Sequence, residues 1–406
     1  MTSCRGCGHA AVQTVLSLGE QPLANALLTE EQLDAAEQRY PLELAFCAAC
    51  ALAQITVSVS PEELFTDYPY FSSYADAVTS NAEMLVRRVM GLRRLGPDSL
   101  VMEVASNDGY LLKHYVEAGI PVLGIDPARN VAADAEAAGV PTLTAFFGHD
   151  VAERLRREGR RADVLHANNV LAHVPDVNGV ISGISRVLAD DGVAIVETPY
   201  VRDLVDKLEF DTIYHEHLFY YSLTSFRSLL DRHGLEAVDV ERIPIHGGSL
   251  RVYAARSGTL GAAPAVEGLL AEERELGMGH IGYFEGFAGR VKDLSRELTD
   301  MLDALVADGA RVAAYGAAAK GAVLLNAAGV DGRSIEFVAD RNPHKQGRYM
   351  PGVHIPVLGP EAVTDRMPDY LLVLAWNFAE EVMAQQSQYA ARGGRFIVPV
   401  PRPTIV

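Results

Sequence analysis

The sequence predicts an α/β protein with a doubly wound parallel sheet at its centre and a second α/β unit towards its C-terminus. The chain has 406 residues, more than one hydrophobic core normally serves. Strand-like and helix-like segments alternate over residues 99–200 and again after residue 310, the order typical of a parallel sheet with helical crossovers. Two C-x-x-C pairs indicate a further small module. We therefore expect three parts, residues 1–66, 67–256 and 257–406.

The chain is acidic, which argues against two classes of partner. It carries 35 Lys and Arg against 53 Asp and Glu, a formal net charge of −18. Such a surface repels nucleic acid and anionic membranes. The apolar runs are strand-sized, and the first ten residues, MTSCRGCGHA, lack the apolar core of a signal peptide. We expect a cytoplasmic protein with no nucleic-acid or membrane partner, and the composition does not indicate its oligomeric state.

The first part contains all four cysteines of the chain, arranged as CRGC and CAAC. Four thiolates in two such pairs form the ligand set of a structural zinc ion. Gly6 and Gly8 suit the tight turn of a metal knuckle, and YPLELAFCAACALAQI alternates like a strand pair around the second knuckle. Ordinary buried thiols and a redox pair remain alternatives. The predicted zinc ligands are Cys4, Cys7, Cys47 and Cys50.

The middle part then alternates in a regular order. Helical spacing begins at Ala75, before the first strand. The following segments read as strand, helix, strand, helix, strand, helix and strand: SLVMEVAS, GYLLKHYVEAG, PVLGIDP, ARNVAADAEAAG, ADVLHANN, DVNGVISGISRVLADDG and GVAIVETP. An antiparallel pair in LEAVDVERIPIHGGSLRVYAARSG closes the sheet.

The last part begins with charged helical segments up to about residue 305. RVAAYGAAAKGAVLLNAAG then reads as a strand, a turn of small residues and a helix. IEFVADRNPHKQG, IPVLGP and YLLVLAW continue this second α/β unit.

The turn ASNDG after the first central strand indicates an adenosine pocket. Small residues let a ligand approach the backbone, and Asp126 at the end of the second strand can accept both ribose hydroxyls. Asp126 as a simple helix N-cap is the alternative, and an acid there serves S-adenosylmethionine (SAM) or NAD. The turn lacks the full dinucleotide glycine set, which favours SAM. The predicted cofactor residues are Ala105, Ser106, Asn107, Gly109, Asp126, Pro127, Asn168 and Phe147, with Phe146 as the other candidate for stacking on adenine.

The segment FDTIYHEHLFYYS, residues 210–222, is unusually dense in titratable and aromatic side chains. Histidine is the natural base near neutral pH. In an extended segment His215 and His217 share one face and Glu216 takes the other. The two histidines would then also suit a metal, but the helical H-E-x-x-H signature is absent. We favour an acid/base site.

Taken together, the motifs resemble a known family. CRGC…CAAC, YPYFSSYA, EVASNDG, NNVLAHVPD, YHEHLFYYS, HGGSLR and YGAAAKG occur in this order over nearly the whole chain. The set resembles the nucleotide-sugar C-methyltransferases of antibiotic deoxysugar pathways. The resemblance implies a zinc module, a central SAM-methyltransferase Rossmann-like domain and a C-terminal α/β domain that helps hold the nucleotide. It also implies a dTDP-4-keto-6-deoxysugar methylated beside the ketone, often at C3. One departure is Ala105, where we expect glycine.

The resemblance implies His217 as the base that removes the proton next to the ketone. Tyr214 is then a donor to the 4-oxygen, and Glu216 orients His217 or contacts the sugar. His173 and Asn169 follow the strand near the methyl donor and are candidates for polarising the ketone, while packing is the alternative for each. The loop DYPYFSSYA supplies further candidates, Tyr68 for the active site and Tyr70 for the substrate.

Two glycine-containing motifs resemble the nucleotide end of such a site. Backbone amides and cationic side chains suit a diphosphate, although a Gly-Gly hairpin is equally well a simple turn. The predicted substrate residues are His246, Gly247, Gly248, Ser249, Arg251, Tyr315, Lys320 and Arg348, with Lys345 near the last of these.

Two other functions remain open at the level of sequence. A sugar ketone beside tyrosine and histidine also suits hydride transfer, so the chain is alternatively an NADPH-dependent ketoreductase, or a protein that catalyses both reactions. A zinc-containing scaffold without catalysis is the third hypothesis, and the dense acid/base segment argues against it.

Overall fold

The computed structural model describes residues 3–60, 72–74 and 76–406 of the chain. Tyr68 and Tyr70 lie outside the described residues, as does the side chain of His246. Three sheets organise the described part. Among its helices, none is long and apolar enough to cross a membrane.

The first sheet belongs to the cysteine-containing module and has four antiparallel strands. Its strands are β1 (Gln13–Pro22), β2 (Arg39–Phe46), β3 (Ala53–Ile55) and β9 (Phe219–Tyr220), in the order β1-β2-β3-β9. The predicted strand pair around CAAC is therefore confirmed as β2 and β3. The fourth strand comes from much later in the chain, directly after YHEH, which the sequence did not predict.

The central sheet has seven strands in the order β10-β11-β8-β7-β4-β5-β6. Five are parallel, and β11 runs antiparallel between β8 and β10. The predicted antiparallel closing pair is confirmed. The strands are β4 (Val101–Val104), β5 (Val122–Asp126), β6 (Thr142–Thr144), β7 (Ala162–Asn168), β8 (Leu188–Pro199), β10 (Leu235–Ile243) and β11 (Ser249–Arg256).

Helices cover both faces of this sheet, because its strands are apolar on both sides. Asp176 caps one of them by accepting a hydrogen bond from the Gly179 amide at 2.8 Å. The helices are α1 (Asp76–Leu92), α2 (Leu112–Glu117), α3 (Arg129–Ala137), α4 (His149–Arg157), α5 (Val177–Val187), α6 (Val201–Asp206) and α7 (Leu223–Asp231). Two further helices, α8 (Pro264–Glu275) and α9 (Phe287–Ala307), form the predicted helical connection.

The C-terminal sheet resembles the central sheet in the order of its first strands. Its order is β14-β13-β12-β15-β16-β17, parallel except for β17. The order in which strands are added to the sheet reverses between β12 and β15, as it does between β4 and β7. Ligands bind at such switch points in α/β sheets. The elements are β12 (Val312–Tyr315), α10 (Ala319–Ala328), β13 (Val338–Ala339), β14 (Val357–Leu358), α11 (Glu361–Arg366), β15 (Tyr370–Val373), α12 (Ala379–Gln385), α13 (Ser387–Ala391), β16 (Arg395–Val398) and β17 (Thr404–Ile405).

Candidate active site

The four cysteines converge on one point, as the C-x-x-C spacing predicted. Their sulfur atoms all lie within 4.8 Å of one another. The Sγ atoms of Cys4 and Cys50 are 3.6 Å apart, as are those of Cys7 and Cys47. Zinc–sulfur bonds of about 2.3 Å in a tetrahedron place sulfur atoms about 3.8 Å apart, so the cluster fits one zinc ion. Hydrogen bonding from Cys50 lowers the pKa of Cys4 to about 5, which favours the metal-binding thiolate.

The turn after β4 is held to the end of β5, where the adenosine pocket was predicted. The Asp126 carboxylate accepts hydrogen bonds from the amides of Asn107 and Ala128, both at 2.9 Å. Burial raises the pKa of Asp126, and these two amides oppose the rise. Only part of the carboxylate's acceptor capacity is used, so it fits a ribose diol as well. The side chain of Asn168, at the end of β7, has a buried oxygen without a partner in the described structure, as expected beside an absent polar ligand.

The backbone of this turn explains why glycine is expected at position 105. Ala105 has a φ of 54° and Asn107 a φ of 50°, in the left-handed region that glycine adopts most readily. Gly109 also has positive φ, and a Cβ there would approach Val140 to 2.9 Å. Ser106 is fully buried against Gly124. Its backbone therefore shapes the turn, while its hydroxyl points into the protein.

The stacking candidate needs correction. Phe147 is 8% exposed and packs in the core against Gly183 of α5. Phe146 is 50% exposed directly after β6. Phe146 is therefore the aromatic side chain accessible to an adenine ring.

The YHEH segment forms a turn rather than the extended segment considered from the sequence. The amide of His217 donates to the Tyr214 carbonyl at 2.8 Å. His217 Nδ1 lies 2.9 Å from the carbonyl oxygen of Thr212, and its Nε2 lies 2.7 Å from the Tyr214 hydroxyl. A carbonyl only accepts, so Nδ1 of His217 carries a proton. The Tyr214 hydroxyl beside Nε2 can donate or accept, so the contact is compatible with an unprotonated, basic Nε2.

A second histidine lies against His217. The rings of His173 and His217 are 4.7 Å apart and nearly perpendicular. Burial lowers the pKa of His173 to about 4, so His173 is neutral at pH 7. It can donate or accept a hydrogen bond, but it does not act as a cation. Asn169, with a φ of 53°, lies in the same segment after β7.

The side chains of His215 and Glu216 have different partners from that of His217. His215 is buried, its Nε2 lies 3.3 Å from the Pro41 carbonyl of β2, and its pKa is lowered by burial. Glu216 accepts a hydrogen bond from Asn25 Nδ2 at 2.6 Å. Among the described residues, the cysteine cluster is the only group of three or more potential metal ligands. The turn therefore separates the two histidines, and the predicted orienting contact of Glu216 with His217 is replaced by a contact with Asn25.

Comparison with known proteins agrees with this geometry. In chain order, a proposed zinc binding domain matches residues 4–65, a methyltransferase domain matches residues 81–240, and a C-methyltransferase C-terminal domain matches residues 244–401. The C-methyltransferase NovU of Streptomyces niveus is 38% identical over 404 residues, 99% of this chain and 96% of that protein. The chain belongs to the C-methyltransferase family. It is a SAM-dependent methyltransferase with an N-terminal zinc-binding domain, as the motifs indicated.

Solved structures overlap this methyltransferase only in part. The magnesium protoporphyrin IX methyltransferase of Synechocystis PCC 6803 is 17% identical, covers 44% of this chain and 79% of its own, with a TM-score of 0.34. A SAM-dependent methyltransferase from Clostridium acetobutylicum is 12% identical, covers 45% and 91%, with a TM-score of 0.35. Overlaps of this size carry no argument about substrate.

The predicted diphosphate turn of the methyltransferase faces carboxylates. A Cβ at Gly247 would meet the Glu209 carboxylate at 2.6 Å, and one at Gly248 would meet Asp203. The hydroxyl of Ser249 donates to the Ile245 carbonyl at 3.0 Å. These carboxylates oppose the approach of an anion to the turn, although Lys207 pairs with both of them and donates to the Gly247 carbonyl.

Arg251 is also engaged within the methyltransferase rather than available to a ligand. It is buried, and its guanidinium donates to Glu197 at 2.6 Å, Glu241 at 3.0 Å and Asn81 at 2.9 Å. Such a network joins β8, β10, β11 and α1. The predicted substrate contact of Arg251 is therefore corrected to an internal ion pair.

The second predicted nucleotide motif lies at the switch point of the C-terminal sheet. Tyr315 is 4% exposed and packs in the core of that sheet, so its predicted substrate contact is corrected. Lys320, in the first turn of α10, lies 4.7 Å from the ring centroid of Trp376. Lys345 donates to the Ala317 carbonyl at 2.7 Å, and Arg348 is exposed. The side chains of Lys320 and Lys345 thus both lie at this crevice; burial lowers the pKa of Lys320, and the charges of Asp211 and Glu209 oppose that shift.

Four residues with roles in the site were not predicted. Thr212 supplies the carbonyl for His217, Asn25 holds Glu216, and Trp376 donates from Nε1 to Asp211 at 2.6 Å. Asp211 and Thr212 stood inside the dense segment, and Trp376 is the only tryptophan of the chain. Those were the available signals in the sequence, but they did not indicate which residues contact each other.

Proposed function

We propose that this C-methyltransferase methylates a ring carbon beside the ketone of a dTDP-4-keto-6-deoxysugar, at C3, with His217 as the general base. One observation carries the proposal: a histidine whose Nδ1 lies 2.9 Å from a backbone carbonyl oxygen and whose Nε2 lies 2.7 Å from a phenol hydroxyl. Methyl transfer to carbon needs a base of this kind, because the carbon must first lose a proton.

The two side chains divide the proton chemistry between them. His217 Nε2 takes the proton from C3, and the C–H electron pair becomes the enolate, with its charge on the 4-oxygen. Tyr214 turns its hydroxyl from Nε2 to that oxygen, which both releases the base and stabilises the oxyanion. SAM, held by Asp126 and the turn after β4, would supply an electrophilic methyl group to the enolate carbon: the C–C bond would form as the S–CH₃ bond breaks, and S-adenosylhomocysteine would leave.

The predicted cofactor residues lie at the ends of the parallel strands of the central sheet. Asp126 is suited to the ribose hydroxyls, Phe146 to the adenine and Asn168 to the methionine end. The segment that follows Asn168 carries Asn169 and His173, and the ring of His173 lies 4.7 Å from that of His217. Because His173 is neutral, its role in the proposal is to donate a hydrogen bond to the sugar.

The nucleotide end of the substrate fits the switch point of the C-terminal sheet better than the Gly-Gly turn. Lys320 and Lys345 offset the charge of a diphosphate, whereas Asp203 and Glu209 face Gly247 and Gly248. Open strand ends at a switch point are also where nucleotides bind in α/β proteins. We keep Lys320 and Arg348 as substrate residues and add Lys345.

The test is to incubate the enzyme with a dTDP-4-keto-2,6-dideoxysugar and SAM, or with NADPH, and to weigh the sugar product. We expect a gain of one CH₂ with SAM. A gain of two hydrogens with NADPH would instead support the ketoreductase, and no change across several sugars would refute both.

His217→Asn is the decisive variant. We expect it to lose methyl transfer by at least about 100-fold, because a general base contributes that much, while SAM binding measured by calorimetry is unchanged. Retained turnover would remove His217 from the role of base.

A further inference from the structure

The base is held by a backbone carbonyl whose own position depends on another part of the molecule. Thr212 accepts from His217 Nδ1 at 2.9 Å and from the Tyr220 hydroxyl at 3.3 Å. Thr212 ends the 3₁₀ turn Phe210–Thr212. The group that His217 Nδ1 meets is thus a backbone carbonyl, in the position where an aspartate often lies behind a catalytic histidine. The tautomer of His217 therefore depends on where this turn places one oxygen atom.

The same turn is anchored in the C-terminal α/β unit. Asp211, its middle residue, is fully buried and accepts from Trp376 Nε1 at 2.6 Å, across 165 residues of chain. Trp376 follows β15 at the switch point of the C-terminal sheet. Helix α10 packs against the turn as well. A charge-assisted hydrogen bond out of water is strong and directional.

Positive charge lies behind this contact. The ammonium of Lys320 stands over the Trp376 ring at 4.7 Å and lies 3.3 Å from Asn377 Oδ1. Burial raises the pKa of Asp211 to about 6, and the charge of Lys320 and the Trp376 hydrogen bond oppose that rise. At pH 7 to 8 Asp211 is thus mainly an anion, which accepts the indole N–H hydrogen bond and is stabilised by the charge of Lys320.

We propose that Asp211 and Trp376 are positioning residues for the base: their hydrogen bond fixes the Phe210–Thr212 turn so that the Thr212 carbonyl keeps His217 in its Nδ1–H form. The role of His217 in this statement rests on the proposed function. Neither Asp211 nor Trp376 touches the reacting atoms. They act on catalysis through the carbonyl, and they make the C-terminal unit necessary for a base in the central part of the chain.

Two variants test the proposal, each removing one side of the contact. Trp376→Phe keeps the ring beside Lys320 and removes the N–H donor, while Asp211→Asn keeps the shape and removes the charge. We expect each to lower kcat by about 10- to 100-fold, since small misplacement of a catalytic group has effects of this size. We expect KM for the sugar and the affinity for SAM to stay within about twofold, because a positioning contact does not bind them.

A direct reading of the histidine makes the test independent of substrate. Long-range ¹⁵N–¹H spectra of the full chain should show His217 as the Nδ1–H tautomer in the wild type and a mixture of tautomers in both variants. The emission of Trp376, the single tryptophan, should shift in Asp211→Asn, which verifies the contact in solution. If the wild type methylates no keto-sugar, the proposed function fails, and the tautomer alone decides this proposal.

Tyr389→Phe is the matched control. It also removes a buried aromatic donor of the C-terminal unit, the 3.0 Å bond to the Arg395 carbonyl, but in a different hydrophobic cluster from Phe210 of the turn. We expect wild-type kcat and tautomer. The proposal is overturned if both test variants keep the wild-type tautomer, if only KM changes, or if the control loses kcat equally. Should one test variant fail to fold, the other decides.

Discussion

The hydroxyl of Tyr214 lies 2.7 Å from Nε2 of His217, the nitrogen that takes the proton in the proposed function. The base becomes available only if this phenol finds another acceptor, and the ketone oxygen of the substrate is the acceptor we propose. Tyr214→Phe should therefore lose oxyanion stabilisation, with kcat lower by about 100- to 1,000-fold. SAM affinity should not change. A variant with near wild-type kcat in steady-state assays would show that Tyr214 only packs against the base.

The backbone of Ala105 is strained, and this is the position where we expected glycine from the sequence. An L-residue in the left-handed region costs about 1 kcal/mol. Ala105→Gly should therefore raise the free energy of unfolding by about 1 kcal/mol, as measured by denaturant titration. Ala132→Gly, inside α3, is the control and should lower it by about 1 kcal/mol. Equal effects of both substitutions would disprove the strain.

At the scale of elements, strand β9 links the cysteine cluster to the base. Phe219 and Tyr220 pair with Gln54 and Ala53 of β3, which follows the second cysteine knuckle. Only one residue, Leu218, separates His217 from β9. Local patterns predicted both large sheets, because each alternation of strand and helix is visible within a short window. They did not predict β9, since two residues become a strand only through a partner far along the chain.

This link gives a prediction for metal removal. We expect one zinc per chain, and its removal by a chelator should loosen the cysteine-containing sheet, because structural zinc contributes directly to folding. Hydrogen exchange at the amides of β3 and β9 should then accelerate, and methyl transfer should fall at least about tenfold. The amides of β12 and β15 serve as the internal reference and should exchange as before. Unchanged hydrogen exchange at β9 would show that the zinc does not affect the position of His217 through this strand.

At the scale of the whole molecule, the YHEH turn is where the three sheets meet. The contacts of Glu216 with Asn25 and of Asp211 with Trp376 span 191 and 165 residues. Residue types and motif order were enough to predict the fold class and the family, and to name His217 as the candidate base. They were not enough for these contacts, because each depends on how separate units pack, and a residue's neighbours in space leave no periodic trace in sequence. The same reason explains Arg251 and Tyr315, which the fold buries.

Glu216 is the best probe of this packing, because it is 6% exposed at the junction. Burial raises its pKa from 4.5 to about 7, while Asn25 and the charge of Lys345 oppose the rise. Below pH 4.5 the carboxyl is protonated in the folded and the unfolded chain. Between pH 4.5 and 7 only the folded chain keeps the proton, so this group's contribution to stability falls as pH rises through that window.

Glu216→Gln keeps an oxygen for Asn25 and removes the titration. The variant should match the wild type near pH 4.5 and exceed its free energy of unfolding at pH 8 by on the order of 3 kcal/mol. Glu209 and Asp211 titrate nearby, with pKa values raised by burial to about 7 and about 6, but they are common to both proteins and cancel in the difference. Exposed Glu361→Gln is the control and should show no such divergence. If the free energies of unfolding of Glu216→Gln and the wild type changed equally with pH across this range, Glu216 would be in contact with water rather than buried between the sheets.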